Sequence, residues 1–144
     1  MTSEENREKK SVPAGTKRLM VLAIDDDPVT LETINECLGH ACIVLLAPDA
    51  QEGIELALHH KPDVVLLDIM MPVMDGISAL MLLKSDENTD KIPVIMVSAL
   101  RKKSKIVEAF NEGAADYVVK PFTADSLIRK ICKVLGPAAD GLKV

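Results

Sequence analysis

Five short apolar runs punctuate the chain, at Met20 to Ile24, Ala41 to Ala47, Val64 to Leu67, Ile92 to Val97 and Asp116 to Val119. None alternates polar with apolar residues as a half-wetted strand would. Each needs cover on both faces, which a parallel sheet with helices on either side supplies. Helical periods fill the gaps. Asp27 can cap a helix opened by Pro28, with Leu31, Ile34 and Leu38 inward and Gly39 as its stop. Asp49 can cap a second, with Ile54, Ala57 and Leu58 inward, before His59, His60 and Pro62. Ile77, Leu80 and Leu83 mark a third, and Pro93 is tolerable at the entry of the strand that follows. A fourth runs from about Lys102 to Glu112 with Ile106, Val107 and Phe110 as its apolar side, and Gly113 stops it. Thr123 can cap the last, with Leu127, Ile128, Ile131 and Leu135 inward and Arg129, Lys130 and Lys133 outward, up to Gly136-Pro137. The order is (βα) five times, which predicts an α/β fold with a doubly wound, five-stranded parallel sheet.

At 144 residues with 48% apolar content, the chain is about one domain with a proper core. Residues 1–17 are polar and charged with no apolar period, and read as a flexible tail. A net charge of −5 disfavours nucleic acid and anionic membranes as partners. No stretch is long enough to cross a bilayer, and MTSEENREKK is too polar for a secretory signal, so membrane insertion is not expected and the expected location is cytoplasmic. Cys37, Cys42 and Cys132 have no metal-ligand spacing and lie among apolar neighbours, as buried reduced thiols do. With no Trp, one Tyr and two Phe, ring-stacking recognition has few tools.

Four of the runs end at residues able to handle a phosphoryl group: Asp25 and Asp26, Asp68, Ser98, and Lys120. In a parallel sheet their carboxyl ends share one edge, where open α/β sheets build ligand sites. Two unit charges about 4 Å apart repel by roughly 4 kcal/mol at an effective dielectric near 20. Three clustered carboxylates therefore want cations. Lys120 supplies one, and a hard divalent ion such as Mg²⁺, which keeps waters and accepts phosphate oxygens, suits the rest. A carboxylate can also attack phosphorus and form an acyl phosphate.

The segments VLAIDDDP, PDVVLLDIMMPVMDG, PVIMVSA and ADYVVKPF, in this order, resemble the receiver domain of two-component response regulators, of the CheY-like type, over about Arg18 to Leu135. The resemblance implies the flavodoxin-like strand order 2-1-3-4-5, a receiver domain at 18–137 and a short C-terminal tail at 138–144. It implies that Asp68 is the phosphoacceptor, that Asp26 binds Mg²⁺ directly, and that Asp25 assists in part through water. Met70 would add its backbone carbonyl to the metal. Ser98 and Lys120 would bind phosphoryl oxygens, Lys120-Pro121 would be cis, and Tyr117 would be a switch aromatic that turns inward as Ser98 moves. The implied phosphodonor is a histidine kinase or a His-containing phosphotransfer protein. The implied output surface is the face of the fourth helix, fifth strand and fifth helix. The domain would catalyse only its own phosphorylation and dephosphorylation, and nothing after Gly136 reads as an output module, so the chain reads as stand-alone or as a receiver fragment.

Two alternatives come from other classes. Asp25-Asp26-Asp27-Pro28-Val29 fits the D-x-D-x-V opening of haloacid-dehalogenase-like phosphatases, with Asp25 as nucleophile and Asp27 as acid/base. Against it, no acidic pair follows the later strands and Asp68 would have no role. The other is a receiver-like interaction scaffold that is never phosphorylated. Arg101, Lys102, Lys103 and Lys105 crowd the start of the fourth helix, where cations oppose the helix dipole; they read either as solvated surface or as a contact for an acidic partner.

Overall fold

The computed structural model describes residues 18–142. The expected N-terminal tail at 1–17, and residues 143 and 144, lie outside the described residues. Strands β1 (Leu19–Ile24), β2 (Cys42–Ala47), β3 (Val64–Leu67), β4 (Val94–Ser98) and β5 (Asp116–Val119) alternate with helices α1 (Pro28–Leu38), α2 (Ala50–His60), α3 (Gly76–Ser85), α4 (Lys103–Asn111) and α5 (Ala124–Leu135). The strands form one sheet in the order β2-β1-β3-β4-β5, every pair parallel.

The pleat sorts each uniform strand into two faces. Val21, Ala23, Val64, Leu66, Ile95 and Val97 pack with Leu31, Ile34 and Leu38 of α1 and Leu127, Ile128 and Ile131 of α5. Leu22, Ile24, Val65, Leu67 and Met96 pack on the other side with Ala57 of α2, Leu80 and Leu83 of α3 and Ala109 of α4. Two cores on one sheet explain the lack of polar alternation in the inner strands, whereas in the edge strand β2 Ile43 and Leu46 remain exposed. Cys42 is buried in the α1/α5 core, whereas Cys37 and Cys132, expected to be buried too, are half-buried against it; the three form no disulfide.

Four details differ from the sequence expectations. β4 begins at Val94, after Pro93, and Ile92 instead closes the preceding turn by donating its N–H to the Thr89 carbonyl at 3.0 Å. In α2 the inward face is Ala50, Gly53 and Ala57, and Leu58 is exposed. The small residues let the helix lie so close to the sheet that a Cβ at Gly53 would collide with Ile24, which rotates Leu58 outward. In α4 only Ala109 is buried, while Val107 and Phe110 are 46% and 44% exposed. Its Ala109 packs in the same core as Met96 of β4 and Tyr117 of β5. Finally, 138–142 is not a tail: Gly136–Leu142 forms a 3₁₀ helix whose Ala139 and Leu142 are buried against the α1/α5 core. Gly136, at φ 59, turns the chain back to make that contact.

The strand order reverses between β1 and β3, so the loops after them part to opposite sides of the sheet and leave a crevice at their carboxyl ends. Ile24 lies directly opposite Leu67 in the register, which sets Asp25 and Asp68 side by side.

Candidate functional site: a carboxylate cluster closed by a lysine

Asp25 and Asp68 are buried at the ends of β1 and β3, and the next residue after Asp25, Asp26, is exposed. Backbone bonds hold both buried carboxylates in place: Asp25 N–H donates to the Ala47 carbonyl at 3.1 Å and Asp68 N–H to the Ile24 carbonyl at 3.0 Å. Asp25, Asp26 and Asp68 each offer an oxygen within 4.8 Å of the others.

Lys120, just past β5, closes the cluster. Its Nζ stands 2.7 Å from Asp25 Oδ2 and 3.1 Å from Asp68 Oδ2. The remaining oxygens meet backbone donors, with Asp27 N–H 2.9 Å from Asp25 Oδ1 and Met70 N–H 3.2 Å from Asp68 Oδ1. Burial holds the Asp25 carboxyl above the ordinary carboxylate range, against the hydrogen bonds from Lys120 and Asp27 and with the charge of Asp68 adding to it. For Lys120 burial alone would lower the pKa, but hydrogen bonds and charge from Asp25 and Asp68 outweigh it and raise the net value. Burial thus shifts Asp25 towards its protonated form, and the two carboxylates do the same for Lys120.

Asp27 is taken by the helix. Its carboxylate caps α1 by accepting from Val29 N–H and Thr30 Oγ1, each at 3.0 Å. The acid/base role required by the phosphatase alternative has no free carboxylate there. Asp75 likewise caps α3 through Ser78 N–H at 2.9 Å.

Gly76, the first residue of α3, meets a constraint that its side-chain neighbours do not reveal. A Cβ at Gly76 would collide with the Asp68 carbonyl, so the glycine lets the β3–α3 loop fold against the Asp68 backbone. That loop carries Met70 and Val73, both exposed, with Val73 at φ 69 in the left-handed region.

Ser98 is fully buried at the end of β4, and its carbonyl accepts the Lys120 N–H at 2.9 Å. Its hydroxyl accepts from Leu100 N–H at 3.3 Å, and the Leu100 carbonyl accepts from the Tyr117 hydroxyl at 2.6 Å. Tyr117 is only 8% exposed, so its ring already lies inside. Burial pushes its phenol up, partly offset by the Ser98 hydroxyl. The Leu100 backbone as the link between Ser98 and Tyr117 has no side-chain signal in the sequence. Arg101, from the basic cluster before α4, donates from its side chain to the Lys120 carbonyl at 3.5 Å. Lys120-Pro121 is cis.

The family model for the response regulator receiver domain matches residues 21–132. Among relatives, the chain is 37% identical over 116 residues to Protein PilH of Pseudomonas aeruginosa, covering 80% of this chain and 96% of that protein. It is 35% identical over 118 residues to the DNA-binding dual master transcriptional regulator RpaA of Synechocystis sp., covering 80% of this chain but 48% of that one. Among solved structures, chemotaxis protein CheY4 of Vibrio cholerae superposes with a TM-score of 0.79 at 28% identity, over 83% of this chain and 100% of that one. A CheX-CheY-BeF3-Mg complex from Borrelia burgdorferi contains a chain that matches with a TM-score of 0.77 at 27% identity, over 87% and 96%. No helix among the described residues is long and apolar enough to cross a membrane. The chain belongs to the response regulator receiver domain family, the signalling module of two-component systems.

Proposed function

We propose that Asp68 accepts a phosphoryl group from a phosphohistidine donor, and that Asp25, Asp26, Lys120 and Ser98 serve this transfer. The observation that carries the reading is the single ammonium of Lys120 spanning two buried carboxylates, with Asp26 beside them. One cation facing three carboxylates leaves an excess of hard oxygen donors, which fits Mg²⁺. Asp25, Asp26, Asp68 and the Met70 carbonyl would hold it, and the ion would supply positive charge against the phosphoryl oxygens.

A carboxylate oxygen of Asp68 forms the new P–O bond while the P–N bond to the donor imidazole breaks. The imidazole nitrogen keeps the electron pair and takes up a proton. Lys120, already 3.1 Å from Asp68, needs little movement to meet a phosphoryl oxygen, so its contribution is prepaid by the fold. Ser98 can exchange its bond with Leu100 for one to another phosphoryl oxygen. Water attack on phosphorus later returns the carboxylate and inorganic phosphate. A groove of about 310 Å³ lined by Val29, Thr30, Ala99, Lys120, Pro121 and Phe122 opens beside the lysine and gives a donor side chain room to approach.

Ser98 and Tyr117 form the switch. Because both bond to Leu100, moving the Ser98 hydroxyl towards phosphate releases one side of that link and biases the β4–α4 segment between two arrangements. The output face is α4, β5 and α5, where Val107 and Phe110 stand exposed. The site of action is the cytoplasm. Incubation with acetyl phosphate and Mg²⁺ should add one phosphoryl group by intact mass, with chelator or Asp68→Asn abolishing it; labelling that persists in Asp68→Asn contradicts the assignment.

A further inference from the structure

From the charge and position of the segment after β4, we infer that Arg101, Lys102, Lys103 and Lys105 form a recognition rim for a phosphodonor protein whose surface around its phosphohistidine is acidic. The inference rests on Asp68 being the acceptor, and it names the chemistry of the partner that reaches it.

Folding does not account for the cluster. α1, α2, α3 and α5 each start with a side-chain cap, from Asp27, Asp49, Asp75 and Thr123. α4 is preceded by Lys102, which makes no side-chain cap bond, and has no acidic residue in its first turn. Cations there oppose the helix dipole. Arg101, Lys102 and Lys103 are exposed, and Lys105 meets Glu108 at 3.4 Å, whereas Lys102 and Lys103 have no ion pair among the described residues. In a chain of net charge −5, four cations within five positions make a local inversion of sign.

Position selects the occupant. Arg101 donates to the Lys120 carbonyl at 3.5 Å, so the cluster borders the carboxylate site itself. An output partner on the α4, β5 and α5 face has no need to reach Asp68, but a donor must bring its phosphorus within bonding distance of it, past the end of α4 that carries the cluster. A donor with acidic residues around its histidine is repelled by Asp25, Asp26 and Asp68 and attracted by the rim, and the pair of forces orients its approach. Such complementarity acts mainly on the association rate and fades with salt.

The test uses the full chain, its Lys102→Gln/Lys103→Gln variant, and one phosphohistidine-bearing phosphotransfer domain made in two versions. One version carries Glu beside the histidine, the other Gln. At low ionic strength the Glu version should transfer about tenfold faster than the Gln version to the parent chain. That advantage should shrink to about twofold in the lysine variant and fade at physiological salt. Phosphoramidate, a small P–N donor, should label both chains equally, so failure of its labelling at Asp68 identifies failure of the acceptor assignment. Binding of the unphosphorylated donor versions, read by fluorescence anisotropy, tests the rim separately and should show the same order. Equal rates and affinities for the two versions, or an advantage that survives in the lysine variant, overturns the inference. So does salt-sensitive self-association of the parent by light scattering that the variant loses, since exposed Glu32, Glu36, Glu52 and Glu55 would then make a second copy the occupant.

Discussion

Lys120 Nζ stands 2.7 Å from Asp25 Oδ2, closer than the 3.1 Å to Asp68. Asp25 is therefore the nearer of the two carboxylates that hold the ammonium in place. Lys120→Met would leave the buried carboxylates without their cation. The Lys120 side chain is 18% exposed, so the expected loss lies below the roughly 3–5 kcal/mol of a fully buried broken pair, at about 2 kcal/mol. Urea melts without metal should show that loss, and added Mg²⁺ should recover more stability in the variant than in the parent.

Mg²⁺ should raise the melting temperature of the parent, since a ligand that binds only the folded state stabilises it by about 2.7 kcal/mol at a hundredfold excess over Kd. Asp26 is the exposed member of the cluster. Asp26→Asn should stabilise the metal-free protein slightly by relieving repulsion and should remove most of the Mg²⁺ shift. Equal shifts in variant and parent would count against a shared metal site.

Gly76→Ala places a methyl group against the Asp68 carbonyl. Backbone cannot yield as a side-chain end does, so the β3–α3 loop must move. The expected cost is about 2 kcal/mol or more, with acetyl phosphate labelling slowed by at least about tenfold as Asp68 shifts. Calorimetry and labelling rates check the two effects together.

Alkaline stability should depend on Cys42. Burial pushes its thiol from an ordinary 9.0 up to about 11. Above 9.0 the unfolded chain loses that proton while the folded chain keeps it, so folding stability falls as pH rises through this window. The full effect is of order 3 kcal/mol. Lys120, whose raised pKa gives stability present below 10.5, loses it at higher pH, and Lys84, lowered by burial, acts with the opposite sign below 10.5. Urea melts of parent and Cys42→Ala at about pH 8 and about pH 11 should show a shallower decline in the variant.

The sheet was legible because its strands are uniformly apolar and end in side chains whose chemistry converges only if the strands run parallel. The helix faces were legible where large residues repeat, as with Leu31, Ile34 and Leu38. They failed in α2 and α4, where glycine and alanine carry the close approach: Gly53 and Ala57 pack while Leu58 does not, and Ala109 packs while Val107 and Phe110 do not. Small residues say little in a periodicity argument, yet they decide which side of a helix can reach the sheet. Pro137 likewise marked a helix end but not that Ala139 and Leu142 return to the core. At the site, side-chain identities pointed to Asp25, Asp68, Ser98 and Lys120, whereas the Leu100 link and the Gly76 contact run through backbone atoms that any residue would supply.

The most direct test of the account is where the phosphoryl group lands. After reaction with acetyl phosphate and Mg²⁺, borohydride reduction converts an aspartyl phosphate to homoserine, and peptide fragmentation locates it. The account predicts a single modified position, Asp68. Modification at Asp25 would contradict it and favour the phosphatase alternative, and no modification at any aspartate would favour the unphosphorylated scaffold.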